Sequence, residues 1–581
     1  MPDTKSNNPV PNFYRASAED FKKIPGSPIA YWVSENILLL FENSLKIGNI
    51  VTPRQGMSTN DNLRFLRQWF EVSIQKCGYN FSDLLSAKNS KFKWFPYNKG
   101  GDFRKWEGNK DYLVNWENDG EEIKYWLVNN PKDSKTTHWS RRIINTEFYF
   151  KEGLTWSFVS SSKFGIRYTS NGFLFDVGGS SLFPQKNEIY GLLGYLCSKV
   201  AFEFLRMLNP TLNFQTGNIA SLPWLIDKNE KSFSKLNNIV SNTILLSKTD
   251  WDSYETSWDF TSFPLLSPDY LNPTIEASYK KLRSRWQQMT DEMKELEEEN
   301  NRIFIDAYGL KDELTPNVPL AEITLTCNPH YRYSSNKLEE ELESFLLTDT
   351  VKELISYAVG CMFGRYGLDK PGLILANQGE TVGDYLSQIP NPTFRPDDDN
   401  IIPVLDDEYF TDDIVSRFKE FLKVVFGKET LSQNLDFIAR ALTGKNASSP
   451  EKVIRDYFLR DFYKDHVQRY KKRPIYWMFS SGKQQSFNAL ISMHRYNKTT
   501  LAKMRTDYLL ELEAKLDAEL SSLQEDTAKN KARITKIKKQ IEEMKEYDEL
   551  LNNKALAMIE IDLDDGVVVN YEKFEGLVRK I

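Results

Sequence analysis

Lys163-Phe-Gly-Ile-Arg-Tyr-Thr-Ser-Asn-Gly-Phe-Leu-Phe-Asp176 is the stretch on which the fold reading turns. Phe164, Ile166 and Tyr168 alternate with Gly165 and Arg167; beyond Asn171-Gly172, Phe173 and Phe175 alternate with Leu174 and Asp176. An Asn-Gly between two runs of period two is a strong short-range signal for a β-hairpin, because both turn positions tolerate φ > 0. The spacing therefore predicts paired strands, with Lys163, Arg167 and Tyr168 on or near one of them. After Gly178-Gly179 the period changes. Leu192, Leu193, Leu196, Val200, Leu205 and Leu208 predict a helix over 187–208, stopped by Asn209-Pro210.

Upstream, Val51-Thr-Pro-Arg-Gln-Gly-Met-Ser-Thr-Asn-Asp-Asn-Leu-Arg-Phe-Leu-Arg-Gln-Trp69 begins as a turn, since Pro53 fixes its own φ and Gly56 can take φ > 0. Arg54, Gln55, Asn60, Asn62, Arg64 and Arg67 surround it. All are donors able to reach phosphate oxygens or base edges. The same residues fit an ordinary solvated loop leading into a helix. From 91 to 126, Lys91, Lys93, Trp94, Tyr97, Lys99, Arg104, Lys105, Trp106, Trp116, Tyr125 and Trp126 interleave rings with cations. Such a run can hold nucleic acid by stacking and phosphate contact. It equally fits a β-sheet surface with snorkelling lysines. An amphipathic run from Tyr31 to Leu45 follows Pro-Gly-Ser-Pro at 25–28, and His138-Trp-Ser-Arg141-Arg142 precedes the central stretch.

A chain of 581 residues is long enough for several domains. Its 40% apolar and 13% aromatic content is that of a globular protein. The four cysteines, Cys77, Cys197, Cys327 and Cys361, form no CxxC pair, which argues against a zinc knuckle or a secreted disulfide scaffold. The four histidines are equally scattered, so no metal site is readable. No apolar run of membrane-spanning length occurs and the N-terminus is polar, which leads to the expectation of a cytoplasmic protein with no membrane partner. The net charge of −6 is unevenly spread. Residues 51–170 hold 19 Lys+Arg against 13 Asp+Glu and the remainder 56 against 68, which suits a basic binding surface on an acidic scaffold.

The rest of the chain reads as helical scaffold. Leu282, Trp286, Met289, Met293, Leu296, Asn300 and Ile303 recur at spacings of four and three, the seam of a coiled coil or an amphipathic helix. Residues 337–366 and 409–470 are expected to be helical, separated by the loop from Pro390 to Asp407. Within that loop Asp397-Asp398-Asp399 reads as solvated, because three consecutive acids point in different directions. A second seam runs Leu501, Leu509, Leu512, Leu516, Leu523, then Ile534, Ile537, Ile541, Met544, Leu551. The charged stretch Gln524 to Arg533 between its halves predicts an antiparallel helical hairpin. The fold class expected is α+β: a β-rich part, then mainly helical domains, then a long coiled-coil-like helical hairpin.

Two segments carry a specific resemblance. Gly191-Leu-Leu-Gly-Tyr-Leu-Cys-Ser-Lys-Val-Ala-Phe-Glu-Phe-Leu205 with Asn213-Phe-Gln-Thr-Gly-Asn-Ile-Ala-Ser-Leu-Pro-Trp224 resembles the closing helix, strand and Leu-Pro turn of DNA target-recognition domains in restriction-modification specificity subunits and fused methyltransferase-nucleases. The chain as a whole resembles the C-terminal half of the PglX family, the adenine-specific DNA methyltransferases of BREX phage-exclusion systems. Matching pieces are Ile24–Glu35, Trp94–Trp106, Gly172–Ser181, Arg473–Lys483 and Asp562–Tyr571, in order along nearly the whole chain. The resemblance implies four parts: a target-recognition domain over 1–228, a linker and helical spacer over 229–310, a mainly helical scaffold over 311–495, and a helical hairpin with C-terminal segment over 496–581.

An amino-methyltransferase needs a Gly-rich loop after a strand for S-adenosylmethionine and an Asn-Pro-Pro-Tyr type motif that accepts hydrogen bonds from the target amino group of a flipped base. The nearest approach, Asn328-Pro-His-Tyr331, departs at its third position and follows a helical spacer. No catalytic residue and no cofactor-binding residue is expected in this chain; S-adenosylmethionine belongs to an N-terminal methyltransferase domain outside it. The resemblance then implies a lobe that clamps double-stranded DNA while that domain methylates an extruded adenine. The residues expected to contact DNA are Arg54, Gln55, Asn60, Arg64, Arg141, Arg142, Lys163, Arg167 and Tyr168, with Arg and Lys mainly on phosphates and Gln, Asn and Arg reading bases. An alternative of another class is a protein-interaction scaffold docking to other BREX proteins or a phage-encoded inhibitor. A third is an autonomous enzyme using Asn328–Tyr331.

Overall fold

The computed structural model describes residues 17–581 apart from 134, 161–162, 210, 212, 226–229, 334–335 and 524–526. It is a mixed α+β chain in which most of the small sheets lie between Leu45 and Trp224 and helices dominate afterwards. A four-stranded sheet has the order Leu66–Gln68, Tyr112–Asn115, Trp94–Asn98, Leu174–Phe175, antiparallel except for the last, parallel pair. A three-stranded antiparallel sheet has the order Ile166–Thr169, Gly153–Trp156, Ser181–Leu182. A third sheet, Ile402–Pro403, Asn488–Ser492 and Tyr476–Ser480, sits among the later helices.

The expected hairpin across Asn171-Gly172 does not form. Ile166–Thr169 pairs with Gly153–Trp156, whereas Leu174–Phe175 runs beside Tyr97 and Asn98 in the other sheet. The turn therefore carries the chain from one sheet to the next. Gly172 does take a positive φ of 107°, and a Cβ there would come within 2.8 Å of the Asn80 nitrogen, so glycine is required both by conformation and by close approach. Gly56, by contrast, is not in the left-handed region. It is needed because a Cβ would meet the Phe175 carbonyl oxygen at 1.8 Å, where the 51–69 segment lies along the sheet edge.

The helix expected over 187–208 is two helices, Ile189–Leu196 and Lys199–Leu208. Ser198 divides them by capping the second, its Oγ accepting from the Ala201 N–H at 3.3 Å. Pro210, expected as the stop signal, lies outside the described residues. The 282–303 seam lies on the helix Ile275–Ala307, which is no free spacer: Leu282, Trp286, Met289, Met293 and Asn300 are all buried. Its Glu297 reaches into the β-rich part, accepting from Trp106 Nε1 at 2.8 Å and pairing with Lys105. The preceding helix, Glu230–Trp251, supplies Asp250, which pairs with Arg104 at 3.0 Å and accepts from the backbone N–H groups of Thr326 and Cys327.

The helical expectations downstream hold: Glu339–Met362 fills 337–366, and four helices between Ile414 and Arg469 fill 409–470. The loop before them is less solvated than its composition suggests. Asp397 is buried, with Oδ1 accepting from the N–H groups of Asp399, Asn400 and Ile401 at 3.1, 2.6 and 3.2 Å, while Asp398 is exposed and paired with Arg395. The late seam forms two long arms, one running through Thr500–Lys503, the π-helical turn Met504–Leu509 and Leu510–Leu523, the other Thr527–Leu556. Ion pairs Arg505–Asp548 and Arg533–Glu519, both at 2.6 Å, fix them antiparallel, and Leu512, Leu516, Ile537, Met544 and Leu551 are buried between and beneath them. Part of the connecting stretch, 524–526, lies outside the described residues.

Candidate nucleic-acid interface

Two loops distant in sequence meet on the β-rich part. The Ser58 N–H donates to the Arg142 carbonyl at 2.9 Å, joining the segment that carries Arg54, Gln55, Asn60 and Arg64 to the one that carries Arg141 and Arg142. Asn145, in the left-handed region at φ 54°, clasps the first loop from the side. Its Nδ2 donates to the Gln55 carbonyl at 2.8 Å and its Oδ1 accepts from Arg54 at 3.4 Å. Arg54 also lies over the Phe148 ring, 4.9 Å from its centroid, so its guanidinium is pre-positioned on an apolar platform.

Asp133 organises the exposed end. It accepts from Asn60 Nδ2 at 3.1 Å, from the Thr136 hydroxyl at 2.7 Å and from the Arg142 guanidinium at 3.4 Å. The Thr136 hydrogen bond, with help from the Lys135 N–H and Arg142, holds its carboxyl below the usual range. Arg141 donates to the Lys135 carbonyl at 2.9 Å. Arg64 pairs with Glu122 at 3.0 Å and lies over the Trp126 ring at 4.5 Å. Arg64, Arg141 and Arg142 are exposed. Ion pairs of this kind between exposed groups are worth about 0–1 kcal/mol, so a phosphate can displace the carboxylate at little cost.

The other three candidates lie apart. Lys163 is engaged with Glu322 on the far connection, and the Tyr168 hydroxyl donates to Glu152. Arg167 is a correction: it is 2% exposed, inside the protein, and donates to the Arg104 carbonyl at 3.3 Å. Burial first, and then the neighbouring Arg104, pulls its guanidinium down to about 10. The alternation of its strand suggested an outward face, but Ile166, Arg167 and Thr169 are all buried, so both faces are covered. Two residues that sequence reasoning passed over belong to the exposed group: Lys132 and Lys135, either side of Asp133. Their signal was the turn-forming Asn130-Pro131 just ahead of them.

Asn328, nearest to a methyltransferase motif, is a structural cap. It is fully buried, its Nδ2 donates to the Leu320 and Ile323 carbonyls at 2.8 and 2.9 Å, and its Oδ1 accepts from the His330 N–H at 3.1 Å. Pro329 opens the short helix behind it, and Tyr331 donates to the Phe103 carbonyl. Fully buried, that amide is out of reach of a substrate amino group. Among the described residues no group of three His, Cys, Asp or Glu side chains is placed to hold a metal ion, and no described helix is long and apolar enough to cross a membrane.

The proteins to which the chain is similar are named as adenine-specific methyltransferases, and the similarity extends along nearly its whole length. Two such relatives are the adenine-specific methyltransferase BrxX of Escherichia coli O9:H4 (strain HS), 40% identical over 590 residues, and the adenine-specific methyltransferase PglX of Lacticaseibacillus casei (strain Zhang), 40% identical over 591. The matches cover 98% and 99% of this chain but 46% of each relative, so the chain spans about half the length of the curated relatives it matches. No protein-family model matches.

Proposed function

We propose that this chain is the target-recognition and clamp portion of an adenine-specific DNA methyltransferase of BREX type, corresponding to the C-terminal half of its relatives. It grips duplex DNA and positions it for base extrusion, while S-adenosylmethionine and the transfer chemistry reside in a separate methyltransferase domain. Similarity at 40% to proteins of that name supports the class. The observation that carries the gripping role is the convergence of the 54–64 and 141–145 segments, which brings exposed Asn60, Arg64, Arg141, Arg142, Lys132 and Lys135 together beside the half-buried Arg54. Lys and Arg there would neutralise phosphates, and Asn60 and Gln55 would reach base edges. In this division residues to 228 read DNA and the later helices brace them. Duplex binding measured against salt for an Arg64→Ala/Arg141→Ala/Arg142→Ala variant tests it. The slope should flatten by about two to three units, since each phosphate contact contributes about 0.9. An unchanged slope removes this surface.

A second reading, a protein-docking scaffold, is favoured by one observation. Ile29, Trp32, Leu39 and Leu45 are exposed close together in sequence, at 73, 50, 43 and 63%. A gel shift with and without the separately expressed methyltransferase domain discriminates the two: a scaffold shows no shift in either.

A further inference from the structure

The turn at Asn171-Gly172 borders a cavity of about 470 Å³ that the gripping surface does not use. Trp258 lines it together with Tyr79, 5.3 Å away between ring centroids and tilted by 49°, and Phe173, 5.9 Å away and tilted by 38°. Lys110 Nζ lies 5.8 Å from the Phe173 centroid, and the exposed side chains of Asn80 and Asn171 line the cavity. The walls are held by backbone. The Phe150 N–H donates to the Phe173 carbonyl at 2.8 Å, the Gly172 N–H to the Phe150 carbonyl at 3.1 Å, and Gly172 lies against Asn80. Phe150 continues the segment that bears Arg141, Arg142 and Asn145, so cavity and basic surface are joined by one short stretch of chain.

We propose that this cavity receives a single unpaired nucleobase, stacked on Trp258 and held at its edge by the amides of Asn80 and Asn171. Aromatic faces accept any base, and amide side chains can pair both a donor and an acceptor along a base edge. An aromatic side chain of a peptide would fill the rings' space but make no use of the two amides at its rim. The size is that of a small-molecule site. The base can come from a free nucleotide or from single-stranded or locally opened nucleic acid. The second source rests on the DNA-binding reading above; the first does not.

The test uses the full chain with two probes: the four nucleoside monophosphates, followed by Trp fluorescence, and a single-stranded oligonucleotide bearing 5-iodouracil, photocrosslinked and mapped by mass spectrometry. Adducts on the peptides containing Tyr79 or Trp258 are expected. Trp258→Ala should weaken binding about tenfold or more, and Asn171→Ala, an exposed position outside the left-handed region that leaves the melting temperature unchanged, by a smaller factor. Adducts confined to other regions, or wild-type binding by both variants, would overturn the assignment. Monophosphate binding in a chain that shows no duplex affinity leaves the pocket standing and sinks the DNA-binding reading. Salt-dependent duplex binding with no occupancy of the pocket does the reverse.

Discussion

Trp94 Nε1 donates to Asp564 Oδ1 at 2.9 Å across 470 residues of sequence. The other oxygen of the same carboxylate receives Lys76 at 2.7 Å and Lys93 at 3.1 Å, and the Asp564 carbonyl takes the Arg67 guanidinium at 2.7 Å. The C-terminal segment is thus bonded onto the four-stranded sheet that supports the basic surface. Burial raises the Asp564 carboxyl, but Lys76, Trp94 and Lys93 outweigh it and the group ends below its ordinary value. Its contribution is therefore present at neutral pH and lost only as pH falls below the usual carboxylate range. Asp564→Ala should cost about 2 kcal/mol in urea denaturation, discounted for the part-exposed Lys76. Asp564→Asn, which keeps an acceptor for Trp94, should cost about half as much.

Gly56→Ala should be strongly destabilising although the residue sits in a loop. A methyl 1.8 Å from the Phe175 carbonyl oxygen cannot be accommodated by a rotamer change, because the obstacle is backbone. A loss of about 3 kcal/mol or more is expected, read as a lower melting temperature. Gly217→Ala, where nothing lies within 4 Å of the added atom, serves as the control and should change stability little.

The periodic features were legible in sequence and the non-local ones were not. Helices at 339–362 and 414–469 follow from apolar spacing because burying one stripe is a local demand. The Asn171-Gly172 turn was legible as a turn, but nothing within it says that Leu174 will run beside Tyr97 in preference to its sequence neighbour. Arg167 was misplaced for a related reason. Alternation marks two faces of a strand, and only the fold reveals that the Arg104 loop lies over the polar one. The meeting of Ser58 with Arg142, on which the candidate surface depends, has no local signature at all.

Arg167 and the exposed arginines should separate cleanly in experiment. Arg167→Ala empties a fully enclosed site and leaves the Arg104 carbonyl without its donor, at a cost of about 3 kcal/mol. Its salt dependence of duplex binding, measured below the variant's melting temperature, should match wild type. Arg141→Ala with Arg142→Ala should do the opposite, changing the slope while moving the melting temperature by no more than a degree or two, since surface substitutions stay within about 0.5 kcal/mol.

The acidic loop gives stability a second pH dependence, of opposite sign to that of Asp564. Burial first, then the Asp399 carboxylate, pushes the Asp397 carboxyl up to about 7; Arg495 pulls the other way, and Asp412 adds a further repulsion. Tyr508 bridges Asp399 and Asp412 at 3.0 and 2.7 Å, and Lys503 reaches Asp399 at 3.3 Å, so the acids are held together by the start of the C-terminal helix pair. Because the folded state holds this proton more tightly than the unfolded chain, its stabilising effect is complete below about pH 4. It is lost progressively as pH rises to about 7 and changes no further above that. Chemical denaturation should therefore show a stability lower by about 1 kcal/mol or more at pH 7.5 than at pH 5. Asp397→Asn keeps the Oδ1 that accepts the three backbone N–H groups while removing the titrating proton, and should flatten the profile in that window. A profile unchanged by Asp397→Asn would assign the dependence to another group.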